Sequence, residues 1–254
     1  MFVNDPWFYA AAVPAVILYG ISKGGFGGGL GILAVPVMSL VISPVQAAAI
    51  LLPILCLMDL FGLWAYRYQW DPVNLRILIP GAISGIIIGT MLFSYLTPEI
   101  IKLILGGIAI LFTLDYWTRG LRNKHGQASR PNTVWGVLAG MTGGITSFIA
   151  HSGAPPISMY LLPQRMPRTR FVATTVLLFT VINYVKLIPY GWLGLLRVYN
   201  LETSLVLMPV AIAGVLSGIW LHKKVSDVIF YRICYVFLFF VGLKLIFDGF
   251  IGEM

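Results

Sequence analysis

Apolar residues run along the chain in long stretches, at roughly 7–22, 26–42, 45–66, 77–95, 99–118, 133–150, 154–164, 171–190, 203–221 and 228–250. A helix needs about 20 such residues to cross a hydrocarbon core about 30 Å thick. Most of the stretches meet that length. Two pairs do not: 7–22 with 26–42, and 133–150 with 154–164, hold shorter pieces parted by a Gly-rich or Pro-rich break. Non-helical backbone at membrane depth survives only inside protein or beside a water-filled cavity. Each pair therefore reads as a hairpin, either two short crossings or a re-entrant pair, with its tip inside the molecule.

Composition agrees with that pattern. Of 254 residues, 59% are hydrophobic and 10% charged, and the mean hydropathy is +0.90. Soluble domains carry about 25% charged residues, so a water-soluble enzyme is excluded, and a disordered chain is excluded by the same hydrophobicity. The net charge of +8 suggests nucleic acid only until the charges are placed. With the loop Arg119–Arg130 on the cytoplasmic side, twelve cations fall inside: Arg67, Arg76, Arg119, Arg122, Lys124, Arg130, Arg165, Arg168, Arg170, Lys223, Lys224 and Arg232. Only Lys102, Lys186 and Arg197 fall near the outside. The charge is a topology signal of the positive-inside kind, and no nucleic-acid partner is expected. Trp7, Trp64, Tyr66, Trp117 and Trp192 lie near span ends and read as interfacial belts. The acidic start Met1–Asp5 lacks the basic stretch of a cleavable signal peptide.

The chain also repeats itself. Pro80–Gly89 and Pro209–Gly218 share the pattern P-x3-[SA]-G-x3-G at an offset of 129 residues. Thr97-Pro98-Glu99 faces Ser226-Asp227-Val228 at the same offset, and Gly20–Gly25 with Pro36 resembles Gly140–Gly144 with Pro155. Each half is then a Gly/Pro-broken hairpin plus three crossings, an odd number that inverts one half against the other. The expected fold is an all-α polytopic membrane protein of two inverted repeats, residues 1–118 and 133–254, joined by a cytoplasmic linker at 119–132. Transporters built this way hold their substrate near the midplane, at discontinuous helices.

The chemistry is expected at the breaks. Six glycines lie within Gly24–Gly31, each costing a helix about 0.8–1 kcal/mol, which argues against an ordinary helix there. Ser22, Lys23, Gly25, Gly27, Gly28 and Gly29 are read as one half of an anion site, with exposed backbone N–H groups, the start of a half-helix at 26–42 and a lysine charge. Ser147, His151, Ser152 and Gly153, just before the helix opened by Pro155 and Pro156, are read as the other half. The opposing reading makes the glycines packing surfaces and the Ser and His partners for backbone freed by proline. Asp59, Asn183 and Lys186 lie within spans and are read as a coupling group or polar pair, with Asp59 joined to Lys23 or Lys186. Asp59 and Asn183 occupy roughly corresponding places in the two halves. Cys56 and Cys234 read as buried thiols. No catalytic constellation, P-loop, metal-ligand spacing or cofactor motif is present, so neither enzyme nor ATP-driven pump is expected.

The segment Ser22-Lys23-Gly24-Gly25-Phe26-Gly27-Gly28-Gly29 with Pro36, and Gly143-Gly144 through His151-Ser152-Gly153-Ala154-Pro155-Pro156, resembles the sulfite exporter TauE/SafE family of membrane permeases over about residues 8–250. The resemblance implies a secondary transporter in a bacterial inner membrane that exports a small sulfur-containing anion, such as sulfite or an organosulfonate. The second break lacks the glycine run of the first, which puts a symmetric site in doubt. An anion channel of the same architecture, an intramembrane enzyme and a helper subunit are the alternatives. Membrane lipid is an expected partner, and a homodimer is left open.

Overall fold

The computed structural model describes residues 3, 5–28, 31–93, 95–122, 129–222, 224 and 227–251. Among them every regular element is helical. Helix α1 spans Pro6–Gly25; a 3-10 turn at Gly31–Leu33 leads into the short α2, Ala34–Met38. Then come α3 (Pro44–Ala65), α4 (Pro72–Phe93) and α5 (Pro98–Arg122). The second half runs α6 (Thr133–Ala150), α7 (Ala154–Leu161) with a 3-10 turn at Leu162–Gln164, α8 (Arg168–Trp192), α9 (Val198–Leu221) and α10 (Asp227–Ile251). Five of these, α3, α4, α6, α8 and α9, are long and apolar enough to cross a membrane. The molecule is a multi-pass membrane protein.

The helix starts follow one local rule. Asp5-Pro6, Ser43-Pro44, Asp71-Pro72 and Thr97-Pro98 each put a capping side chain before a proline at the first helical position. Asp5 accepts from the Trp7 N–H at 2.9 Å, Ser43 from Gln46 at 3.3 Å and Asp71 from Asn74 at 2.9 Å. Proline costs nothing there, because its missing N–H would have no partner within the helix. Asn132 caps α6 in the same way, accepting from the Trp135 N–H at 3.0 Å.

The return limbs are short. The eight residues 31–38 and the eleven residues 154–164 cannot span a bilayer at 1.5–2 Å per residue, whereas α1 and α6 run 20 and 18 residues. Each hairpin therefore pairs one long helix with a return that starts partway back. Helices α3 and α8 lie at the centre, with 61% and 56% of their most apolar windows buried, against 39% in α4 and 33% in α9.

Glycines set the closest contacts. Helix α4 packs on α6 and α1 on α9. A Cβ at Gly85 would run into the Met141 carbonyl oxygen, and one at Gly144 into that of Ala82. On the other side, a Cβ at Gly24 would strike the Val215 carbonyl and one at Gly218 that of Ile21. The repeated P-x3-[SA]-G-x3-G pattern is thus a packing surface that lets two backbones touch. Of the aromatic residues assigned to interfaces, Trp7, Trp64, Trp117 and Trp192 are exposed. Tyr66 is not. It is buried, and its hydroxyl donates to the Gly24 carbonyl at 2.6 Å.

Candidate functional site

The first break is smaller than the glycine run suggests. Helix α1 continues through Gly25, because close packing on α9 repays what the glycines cost a free helix. Ser22 and Lys23 lie buried in its last turn, and Gly25 backs onto the Gly218 carbonyl. The chain then turns at Gly27 and Gly28, whose φ angles of 70° and 77° belong to the left-handed region, where glycine costs least. Among the described residues, three amides expected to be free are bonded within the turn. Phe26 and Gly28 both donate to the Ser22 carbonyl, at 2.8 and 3.0 Å, and Gly31 donates to Gly28 at 2.9 Å. Nor is there a half-helix over 26–42, since α2 has five residues. The carbonyls that end α1 are capped from other helices. Besides Tyr66, His222 Nδ1 donates to the Gly25 carbonyl at 2.7 Å, and the Arg168 guanidinium lies 5.3 Å from the Phe26 ring centroid. Gly29 lies outside the described residues.

At the second break α6 ends on His151, which adopts a left-handed φ of 53°. Its amide donates to the Ser147 carbonyl at 3.0 Å, and the Ser152 amide to Thr146 at 3.2 Å. Gly153 opens α7, with Pro155 and Pro156 in the first turn. Those prolines remove two of the donors that a helix start would offer a ligand, so the polar side chains matter more than the helix end. His151 Nε2 lies 2.9 Å from the Ala48 carbonyl, and Nδ1 lies 2.7 Å from Lys186 Nζ. A carbonyl can only accept, so Nε2 carries the proton and Nδ1 accepts a hydrogen bond from the lysine. The Ser152 hydroxyl donates to the Ala150 carbonyl at 3.1 Å.

Two buried lysines, Lys23 and Lys186, engage the other polar residues singled out within the spans. Lys23 Nζ stands 2.9 Å from Asp59 Oδ1 and donates to the Leu55 carbonyl at 3.1 Å. Asn183 donates to Asp59 Oδ2 at 2.8 Å, so the roughly corresponding positions of α3 and α8 bond directly. Of the two partners expected for Asp59, Lys23 is the one the structure supplies, which spends the lysine charge expected to serve an anion at the first break. Lys186, placed near the outer surface by charge counting, is instead fully buried. Its ammonium donates to the Ser147 carbonyl and hydroxyl oxygens, both at 3.0 Å, and to His151 Nδ1. All three are neutral. Among the described residues no carboxylate pairs with Lys186, and no group of His, Cys, Asp and Glu gathers as metal ligands would. Cys56 is buried and free; the side chain of Cys234 lies outside the described residues.

The two returning segments meet on one side chain that the sequence did not single out. A Cβ at Gly28 would lie 3.8 Å from one edge of the Phe179 ring, and one at Gly153 would lie 3.2 Å from the other. Phe179 sits halfway along α8, between the Gly27 contact at Phe171 and the Asn183–Lys186 turn. Nothing in an apolar span marks such a phenylalanine, because every third or fourth residue there is equally apolar.

Searches among curated proteins and among solved structures found no match. The family model for the sulfite exporter TauE/SafE matches residues 12–245, nearly the whole chain and both breaks. On that match, the chain belongs to the sulfite exporter TauE/SafE family of membrane transporters.

Proposed function

We propose that the protein is a secondary transporter of a small sulfur oxyanion, sulfite or an organosulfonate, carried out across a bacterial inner membrane by alternating access. The observation that carries the anion assignment is Lys186. A lysine with no exposed surface and no carboxylate leaves one positive charge over after Lys23 and Asp59 have cancelled. Burying an unpaired charge is costly, and an intramembrane ionisable group points to function by default. An arriving anion supplies the missing countercharge. Sulfite and sulfonates each present three oxygens around one sulfur. Such a group can take over a Lys186 proton from His151 or Ser147, and it can accept from the Ser147 hydroxyl. That hydroxyl has no acceptor for its own proton among the described residues.

In this reading Ser147, His151 and Lys186 bind, with Ser152 and Gly153 shaping the turn beside them. Ser22, Lys23, Asp59 and Asn183 hold α1, α3 and α8 together, and Gly25, Gly27 and Gly28 shape the first return. The inverted repeat, with residues 1–118 against 133–254 and a cytoplasmic linker at 119–132, is supported by reciprocal packing. Helix α1 meets α9 as α6 meets α4, α3 meets α9 as α8 meets α4, and α5 pairs with α10. Export suits the sign of the substrate: an inside-negative potential favours outward movement by about 2.3 kcal/mol per charge per 100 mV.

The test is the melting temperature of purified protein with sulfite, an alkanesulfonate and chloride, for the wild type and Lys186→Met. A sulfur oxyanion is expected to raise the wild-type melting point and to leave that of the variant, measured against its own ligand-free value, unmoved. Equal stabilisation of both proteins would remove Lys186 from the site and with it the support for this reading. Counterflow of labelled sulfite in liposomes then separates a carrier from a channel.

A further inference from the structure

The second hairpin has a groove on its outer face, away from Lys186. It has a volume of about 480 Å³ and runs between α6 and α7 from the end of the linker. This lies within the range of about 300–1,000 Å³ usual for small-molecule sites. Its floor and walls are apolar, with Leu138 and Ala139 from α6 and Pro156 and Met159 from α7; Arg130 and Asn132 stand at one mouth. Trp135 lies beside that mouth and is 68% exposed.

We propose that this groove binds one anionic phospholipid from the leaflet at the arginine-rich end of the bundle. Three observations favour that occupant. First, Leu138 is exposed on α6, a helix apolar enough to span a membrane, and Met159 is exposed on the neighbouring α7, so acyl chains are the molecules that surround them. Second, Arg130 is exposed and has no carboxylate partner among the described residues. Its guanidinium complements a phosphate in geometry and charge. Basic pockets between transmembrane helices on the cytoplasmic side are suited to anionic head groups. Third, the positive end of the α6 dipole faces the same mouth, because α6 starts at Thr133.

The groove is walled by both limbs of the hairpin that carries His151. The Ser129 amide donates to the Pro163 carbonyl at 3.0 Å, which ties the linker to the far end of the return limb across the groove mouth. A lipid seated there touches α6, α7 and the linker at once, and it holds the hairpin closed from outside.

The experiment uses the full chain purified in neutral detergent. Its melting temperature is followed while phosphatidylglycerol, phosphatidylcholine or glycerol phosphate is added, for the wild type, Arg130→Gln and Ala139→Phe. Phosphatidylglycerol is expected to act at about five-fold lower concentration than phosphatidylcholine, the effect of about one cation near a membrane surface. Arg130→Gln should abolish that preference, Ala139→Phe should abolish stabilisation by both lipids, and glycerol phosphate should have no effect. Equal potency of the two lipids on the wild type would overturn the proposal, as would an unchanged preference in Arg130→Gln. Stabilisation by glycerol phosphate would show a free-phosphate site and overturn it also. A dimer that Ala139→Phe dissociates would assign the groove to a second copy. None of these outcomes depends on whether Lys186 binds sulfite.

Discussion

Lys23 in α1 faces α3 and Lys186 in α8 faces the end of α6; both are buried, and they differ in one respect. Lys23 faces a carboxylate, and Lys186 faces a carbonyl, a hydroxyl and an imidazole. The first arrangement is complete in itself. The second is satisfied in hydrogen bonds but not in charge. An ion pair closed within the protein makes a joint between helices, whereas a lone cation stays open to an anion from outside. In the function proposed above, that difference gives a structural part to one lysine and binding to the other, although the residues are chemically identical.

The sharpest way to break the comparison is to remove each charge. Lys23→Met strands Asp59 in the core and is expected to cost about 3–5 kcal/mol, as does removing one partner of a buried pair generally. Lys23→Met combined with Asp59→Leu should recover most of that loss, because the stranded charge is gone. Unfolding in denaturant, read by tryptophan fluorescence, measures both. A Lys23→Met protein as stable as the wild type would mean that Asp59 needs no partner. The same substitution at Lys186 removes a charge that has no counterion among the described residues, at the cost of three hydrogen bonds, and is expected to destabilise less than Lys23→Met.

Asn183→Leu is a milder cut on the closed side. It removes the hydrogen bond to Asp59 Oδ2 at 2.8 Å and should cost about 1.5–3 kcal/mol in the same unfolding experiment, the worth of a bond to a charged group. Ser147→Ala sharpens the open side with the smallest expected change in stability, about 1 kcal/mol for one lost bond to the ammonium. Its larger effect is on the ligand. Sulfite affinity, measured by titration calorimetry, should fall about ten-fold. An affinity that stays unchanged would take the Ser147 hydroxyl out of the site.

Much of this architecture can be read along the chain. The long helices lie within a few residues of their apolar stretches, since a bilayer leaves a backbone little choice but to satisfy itself as helix. Breaks were legible at Gly27–Gly28 and before Pro155–Pro156, where the residue types alone make a helix poor. The extent of the first break was not, because glycine has two opposite uses in a membrane. Gly24 and Gly25 look like helix breakers by propensity, yet they stay helical, because the missing side chains let α1 touch α9. Which use applies depends on a neighbour some 190 residues away.

The sequence alone therefore determined that this is a multi-span helical protein with two broken hairpins and polar side chains placed within apolar spans. Those properties follow from local composition and from the solvent. Tertiary packing decided that Asp59 faces Lys23 and leaves Lys186 to Ser147 and His151, and that both returns rest on Phe179. Side chains at membrane depth have neither water nor free rotation to choose among partners. Each takes the one that helix crossing places within about 3 Å, and a crossing is a property of the whole bundle.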